Sequence, residues 1–194
     1  MSTARKIAIG ISGASGAIYG IRLAEVLRGM PGVETHLIIS RAAQITIACE
    51  TDYSLTDVHN LAHVVHPVTD LSACVASGSF QLDGMIVAPC SMKSLAEIAL
   101  GLTSSLLTRT ADVCLKERKR LVLLPRETPL NASHLKNMLA VTEMGGIIAP
   151  PVPAFYSRPE TLDDIINHTV GRALDLFGLE HALVKRWQGT REPA

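Results

Sequence analysis

The chain has 194 residues, 47% of them apolar and 19% charged, a balance that suits one globular domain and excludes a disordered chain. Its 18 basic residues are matched by 18 acidic ones, so no basic field exists to draw nucleic acid or an anionic membrane. A mean hydropathy of +0.27 at zero net charge points to apolar surface hidden somewhere, and an oligomer interface is the simplest place for it.

In chain order, Ile7–Ile11 reads as a first strand. A Gly-rich turn leads from it into a helix over Ala17–Arg28, which Met30-Pro31-Gly32 stops. His36–Ser40 is a second buried strand and Arg41–Cys49 a helix. Residues 51–80 carry only short, irregular segments and a Ser77-Gly78-Ser79 loop. Met85–Ala88 is a third strand, ended by Pro89, with a helix from Met92 that Gly101 interrupts. A helix over Ser105–Glu117, a strand over Leu121–Leu124, a helix over Leu135–Met144 and a short strand over Gly146–Ala149 follow. Pro150-Pro151-Val152-Pro153 fits neither helix nor central strand, and Thr161 caps a last helix from Leu162 to about Phe177. Apolar strands without polar alternation, separated by helices, predict a single α/β domain over 1–194. Its core is a doubly wound parallel sheet with helices on both faces, Rossmann-like. No run approaches the roughly 18 apolar residues of a membrane helix. Cys49, Cys74, Cys90 and Cys114 stand singly, with no CxxC pair, and are expected as reduced thiols in a cytoplasmic protein, each a small buried hydrophobe.

In such sheets ligands sit beyond the carboxyl ends of the strands, so the informative residues follow strands. Gly10-Ile-Ser-Gly13-Ala-Ser-Gly16 closes the first strand and opens the first helix. Glycines let the backbone approach a ligand, amides at a helix start attract an anion, and Ser12 and Ser15 add hydroxyls. The spacing is neither GxGxxG nor a P-loop, and Ser40 stands where a dinucleotide fold offers an acid to the ribose. A mononucleotide phosphate therefore suits the loop better than NAD. After the third strand, Pro89-Cys90-Ser91-Met92-Lys93-Ser94 repeats hydroxyls and amides at a helix start, with a cation added. After the fourth, Pro125-Arg126-Glu127-Thr128-Pro129 holds an Arg–Glu pair between prolines, which fix the loop on the scaffold.

Two patterns are set aside. Asp163-Asp164 resembles the metal-binding acids of diphosphate prenyl synthases, but its place at a helix start reads as first-turn acids. His59, His63 and His66 have metal-like spacing without a carboxylate or cysteine to complete the set, so no metal is expected, and His36, His134, His168 and His181 give no signal.

Taken in order, these segments resemble the UbiX-type flavin prenyltransferases along nearly the whole chain. The resemblance rests on Gly13-Ala-Ser-Gly-Ala17, Ala42-Ala43 ahead of Glu50-Thr51, Ser77-Gly-Ser-Phe80 and Pro89-Cys-Ser-Met-Lys93. It continues through Arg109-Thr-Ala-Asp-Val113, Leu115-Lys-Glu117, Leu123 to Pro129, Pro151-Val-Pro-Ala-Phe-Tyr156, the Arg172 helix and Arg186-Trp187. The family joins a dimethylallyl group to N5 and C6 of reduced FMN for use by UbiD-type decarboxylases, and its members assemble as dodecamers. The resemblance implies FMN binding by Gly13, Ala14, Ser15, Ser40, Ser91, Met92, Lys93 and Arg126. It implies that Arg109, Lys116, Arg126, Tyr156 and Arg172 meet dimethylallyl phosphate and that Trp187 flanks the allyl chain. Ser15, Glu50 and Glu127 would be the catalytic groups, and no metal would take part. The residue types suit that chemistry: cations and a tyrosine hydroxyl stabilise a departing phosphate, an aromatic face stabilises an allylic cation, and a carboxylate exchanges protons. Three other readings stay open, one of them an aromatic-acid decarboxylase acting directly, for which no residue set here speaks. FMN-dependent cysteine decarboxylases share the fold, but this chain lacks their Met-Asn and Met-Trp dipeptides. A non-catalytic flavin carrier would bind FMN without modifying it.

Overall fold

The computed structural model describes residues 4–184, Arg186 and Gly189. Its elements run β1 (Arg5–Ile11), α1 (Ala17–Arg28), β2 (Val33–Ile39), α2 (Arg41–Glu50), α3 (Leu55–Asn60), β3 (Val64–His66) and β4 (Gly84–Cys90). They continue with α4 (Met92–Ala99), α5 (Leu106–Lys116), β5 (Arg120–Pro125), α6 (Ala132–Glu143), β6 (Ile147–Ile148) and α7 (Leu162–Asp175). The chain divides into two compact units, Met1–Pro151 and Val152–Ala194.

In the first unit all strand pairs are parallel and the sheet order is β3-β2-β1-β4-β5-β6. This is the doubly wound arrangement, and its order reverses between β1 and β4. Successive strand side chains alternate between faces. Ala8, Met85, Val87, Leu121 and Leu123 pack with Leu95 of α4, Leu107 and Ala111 of α5 and Val141 of α6 in one cluster. Ile7, Ile9 and Ile11, fully or almost fully buried, point the other way, toward α1. There Gly20 allows close approach: a Cβ at that position would lie 2.2 Å from the Ala88 carbonyl and 2.7 Å from the Ile11 side chain.

The expected helix α1 and the strands at β1, β2, β4, β5 and β6 are present. The sheet has six strands, however, not five. The extra one, β3, is a half-buried three-residue edge strand inside the segment expected to be irregular, which also holds α3 and a 3-10 turn at Cys74–Ala76. Pro89 does not end its strand: β4 runs on to Cys90 with a register irregularity between Val87 and Cys90, and Pro89 accepts bonds through its carbonyl instead. Ser40 and Ser105 are helix N-caps rather than members of the strand or helix they border. Helix α6 begins three residues earlier than expected because Asn131 and His134 form a reciprocal cap. Of the thiols, Cys90 and Cys114 are buried as expected, whereas Cys49 and Cys74 are exposed.

The second unit contains a 3-10 turn at Phe155–Ser157 and α7. Thr161 caps α7, and Asp164 returns the bond to the Thr161 amide at 2.9 Å, so this acid serves the helix start as expected.

Candidate active site

Beyond the carboxyl ends of β1, β2, β4 and β5 lies a cavity of about 730 Å3, in the range of small-ligand sites. The turn after β1 contributes Gly13, Ala14 and Ser15; the start of α2 contributes Ser40, Arg41 and Ala42. The start of α4 contributes Ser91 to Ser94, and the loop after β5 contributes Arg126 and Glu127. All eight residues expected at the flavin thus line one space, with Glu127 beside them.

The way the chain builds this rim differs from the simplest reading of its serines. Ser40 Oγ accepts the Ala43 amide at 3.1 Å and Ser91 Oγ accepts the Ser94 amide at 3.2 Å, capping α2 and α4. These helix starts present their positive ends at the cavity. Buried Ser12, outside the lining, clips two loops together. Its hydroxyl donates to the Pro89 carbonyl at 2.9 Å and accepts the Ser91 amide at 2.7 Å, fixing the β1 turn against the β4 turn. Lys93 Nζ is 3.5 Å from Glu97 and mostly exposed. Arg126 has no side-chain partner among the described residues, which leaves its guanidinium available to an anion. Glu127 Oε1 accepts the Thr128 amide at 3.0 Å, holding its carboxylate along the loop.

Glu50 is not in the lining. Its Oε2 accepts the Gly16 amide at 2.7 Å and the Ala17 amide at 3.4 Å. A carboxylate of the chain itself thus already serves the start of α1, where the sequence suggests amides free for a phosphate. Phosphate-binding amides must come from elsewhere on the rim, from the turn at Gly13–Ser15 or the starts of α2 and α4.

Against known proteins, the model of the Flavoprotein family matches residues 1–174. The flavin prenyltransferase UbiX of Neisseria meningitidis is 55% identical over 185 residues, 95% of this chain and 97% of that protein. A crystal structure of a UbiX protein in complex with FMN and dimethylallyl pyrophosphate superposes with a TM-score of 0.94 at 52% identity, covering 97% of this chain and all of the other. A dodecameric FMN-dependent UbiX-like decarboxylase from Escherichia coli O157:H7 superposes with a TM-score of 0.93 at 54% identity over 95% of this chain and all of its own.

The chain belongs to the UbiX-type flavin prenyltransferases.

Of the residues expected to meet the prenyl phosphate, Arg126 lines the cavity, whereas Arg109 and Lys116, also in the first unit, are not in its lining. Arg109 Nε donates to the Ala76 carbonyl at 3.1 Å and its Nη1 to Asp112 at 2.7 Å. Lys116 pairs with Glu117, and both press on Gly78, where a Cβ would lie 2.6 Å from Lys116 Nζ. The two cations, seven residues apart on α5, therefore converge on the segment 76–78. In the second unit Tyr156 Oη is 3.0 Å from His168 Nε2 and Arg172 Nη1 is 2.7 Å from Asp175. Trp187 lies outside the described residues. Arg41, Ala42, Val68, Thr69, Glu97 and Ser105 line the cavity without having been expected there. Nothing in the irregular segment points to Val68 and Thr69.

Proposed function

We propose that this chain transfers a dimethylallyl group from dimethylallyl phosphate to N5 and C6 of reduced FMN, yielding prenylated FMN for a UbiD-type decarboxylase. The observation that carries the reading is the coincidence of the eight expected flavin-binding residues and Glu127 on one 730 Å3 cavity in a chain of this family. Its donor-rich rim fits a phosphorylated mononucleotide: capped helix starts, the unengaged Arg126 and exposed Lys93 all favour an anion. The bound reduced flavin supplies the two nucleophilic atoms.

The residues do the rest. Arg126 holds phosphate, and Arg109, Lys116, Tyr156 and Arg172 stabilise the leaving phosphate as the allylic carbon–oxygen bond breaks and its electron pair departs with oxygen. Each charge-assisted contact is worth about 1.5–3 kcal/mol, enough together to dispense with a metal and to favour a monophosphate donor. Trp187 flanks the allylic cation. One of the two new bonds replaces the broken carbon–oxygen bond; the other would use up the dimethylallyl double bond, whose second carbon takes a proton while N5 and C6 each give one up. Glu127 would protonate the departing phosphate and later accept a flavin proton, with Ser15 as its companion, while Glu50 acts through the α1 amides it holds. Residues 1–194 work as one domain in this reading, supported by a family match that spans the first compact unit and continues into the second as far as residue 174. Arg109 and Lys116 lie away from the cavity lining of their own chain, which favours a homo-oligomer, a dodecamer, with the flavin at a subunit boundary. No described helix is long and apolar enough to cross a membrane, and we place the protein in the cytoplasm.

Glu127→Gln tests the assignment. It should leave FMN affinity within about twofold while slowing turnover by about 10²–10⁴-fold, since the amide keeps the shape and cannot exchange a proton. Full activity in this variant removes Glu127 from its role.

A further inference from the structure

We propose that His36, His66 and Cys74 form a binding site for a divalent transition metal, zinc above all, outside the cavity. The residues stand on three elements: His36 in β2, His66 at the end of β3 and Cys74 at the start of the 3-10 turn. One ligand atom from each lies within 4.8 Å of the other two. Parallel pairing of β2 with β3 places Ile38 opposite His66, and this brings the two rings into a stack with centroids 5.3 Å apart.

The ring nitrogens are already sorted for ligation. His36 Nε2 meets Glu34 Oε1 at 2.9 Å, the carboxylate–histidine contact that orients a metal-bound imidazole from its far side. This leaves His36 Nδ1 with its lone pair, and it faces His66 Nε2 at 2.9 Å. The short approach requires a proton between the two nitrogens, carried by His66. A tetrahedral zinc ion with bonds of about 2.0–2.1 Å to nitrogen and about 2.3 Å to sulfur takes that proton's place after small shifts of the three groups. His66 then carries its proton on Nδ1, the Cys74 thiol releases one proton to solvent, and water fills the fourth position. Cys74 is exposed, which gives the metal an entry path. None of the three residues lines the cavity, but Val68 and Thr69, between His66 and Cys74 in sequence, do; the metal would anchor the segment that carries them.

Cobalt(II) is the probe, added to the full chain after reduction and treatment with chelator. The expected result is one cobalt per chain with a thiolate-to-cobalt charge-transfer band in the near ultraviolet, bleached by equimolar zinc. Cys74→Ser, at an exposed position that keeps the fold, should abolish the band, and Cys49→Ser should leave it unchanged. Glu34→Gln should weaken cobalt binding about 10–100-fold, as loss of such an orienting contact typically does. Absence of the band in the wild type, or its survival in Cys74→Ser, overturns the proposal.

Discussion

Several residues owe their identity to packing or capping as much as to a ligand. At position 13 a Cβ would lie 2.3 Å from the Ala42 Cβ, well inside any real carbon–carbon contact. Gly13→Ala should therefore cost about 1–3 kcal/mol through overpacking of the β1 turn against α2, read as a lower denaturation midpoint. An unchanged midpoint would mean that the turn yields freely and that only the ligand needs glycine there. The thiols make a second case. Burial pushes Cys90 and Cys114 up to about 12, while the thiols of Cys49 and Cys74 are exposed. At pH 8 a thiol of pKa about 12 is ionised in roughly one molecule in ten thousand, so Cys90 and Cys114 should resist alkylation until denaturant is added. The sign also sets an alkaline limit: the folded state keeps these thiols protonated, so stability falls as pH rises past the unfolded thiol's ordinary value. Rapid native labelling of Cys90 or Cys114, mapped by peptide mass, would contradict their burial.

At the scale of elements, the long periodic segments were legible. The bounds of α1 and the presence of five strands follow from apolar runs and Gly or Pro punctuation, because those elements lie wholly within the buried sheet or against it. What escaped was short or depended on distant partners. β3 has three half-buried residues and α3 six, too few for either period to register. The Glu50 bonds to α1 span 33 and 34 positions and the two bonds of the Ser12 clip span 77 and 79, contacts that only the folded chain creates. The histidines show the same limit: spacing in sequence grouped His59, His63 and His66, whereas strand pairing sets His66 against His36 and engages His63 Nδ1 with Thr35 at 2.9 Å. Eight flavin positions could be named from the resemblance, but their mode of action could not. Ser91 and Ser40 had no visible sign of capping a helix at the cavity rim beyond their place after a strand. Ser91→Ala should cost about 1 kcal/mol of stability by removing the α4 cap. Ser91→Asp, which retains a cap acceptor but adds negative charge at the rim, should keep stability and weaken FMN binding. Equal FMN affinity in Ser91→Asp and wild type, by fluorescence titration, would place the phosphate away from α4.

For the whole molecule, neutral charge and apolar excess now have locations. Ile45, Leu100, Leu102, Phe155 and Leu162 are each more than half exposed in the single chain. Burying such side chains is worth about 1.5–3 kcal/mol apiece, which supports self-association. Light scattering at micromolar concentration should give a homo-oligomer of at least three subunits, and a monomer would remove the subunit-boundary site. The same molecule should bind FMN and not NAD, because the β1 turn has no dinucleotide glycine spacing and Ser40 stands in place of a ribose-binding acid; tighter NAD binding by equilibrium titration would reverse that assignment. The most direct measurement is the mass of the flavin released after anaerobic incubation of the protein with reduced FMN and dimethylallyl phosphate in excess EDTA. The account predicts a flavin heavier by one prenyl unit, formed at full rate without added metal. Unmodified FMN, or a product that appears only when Mg²⁺ is restored, would contradict it.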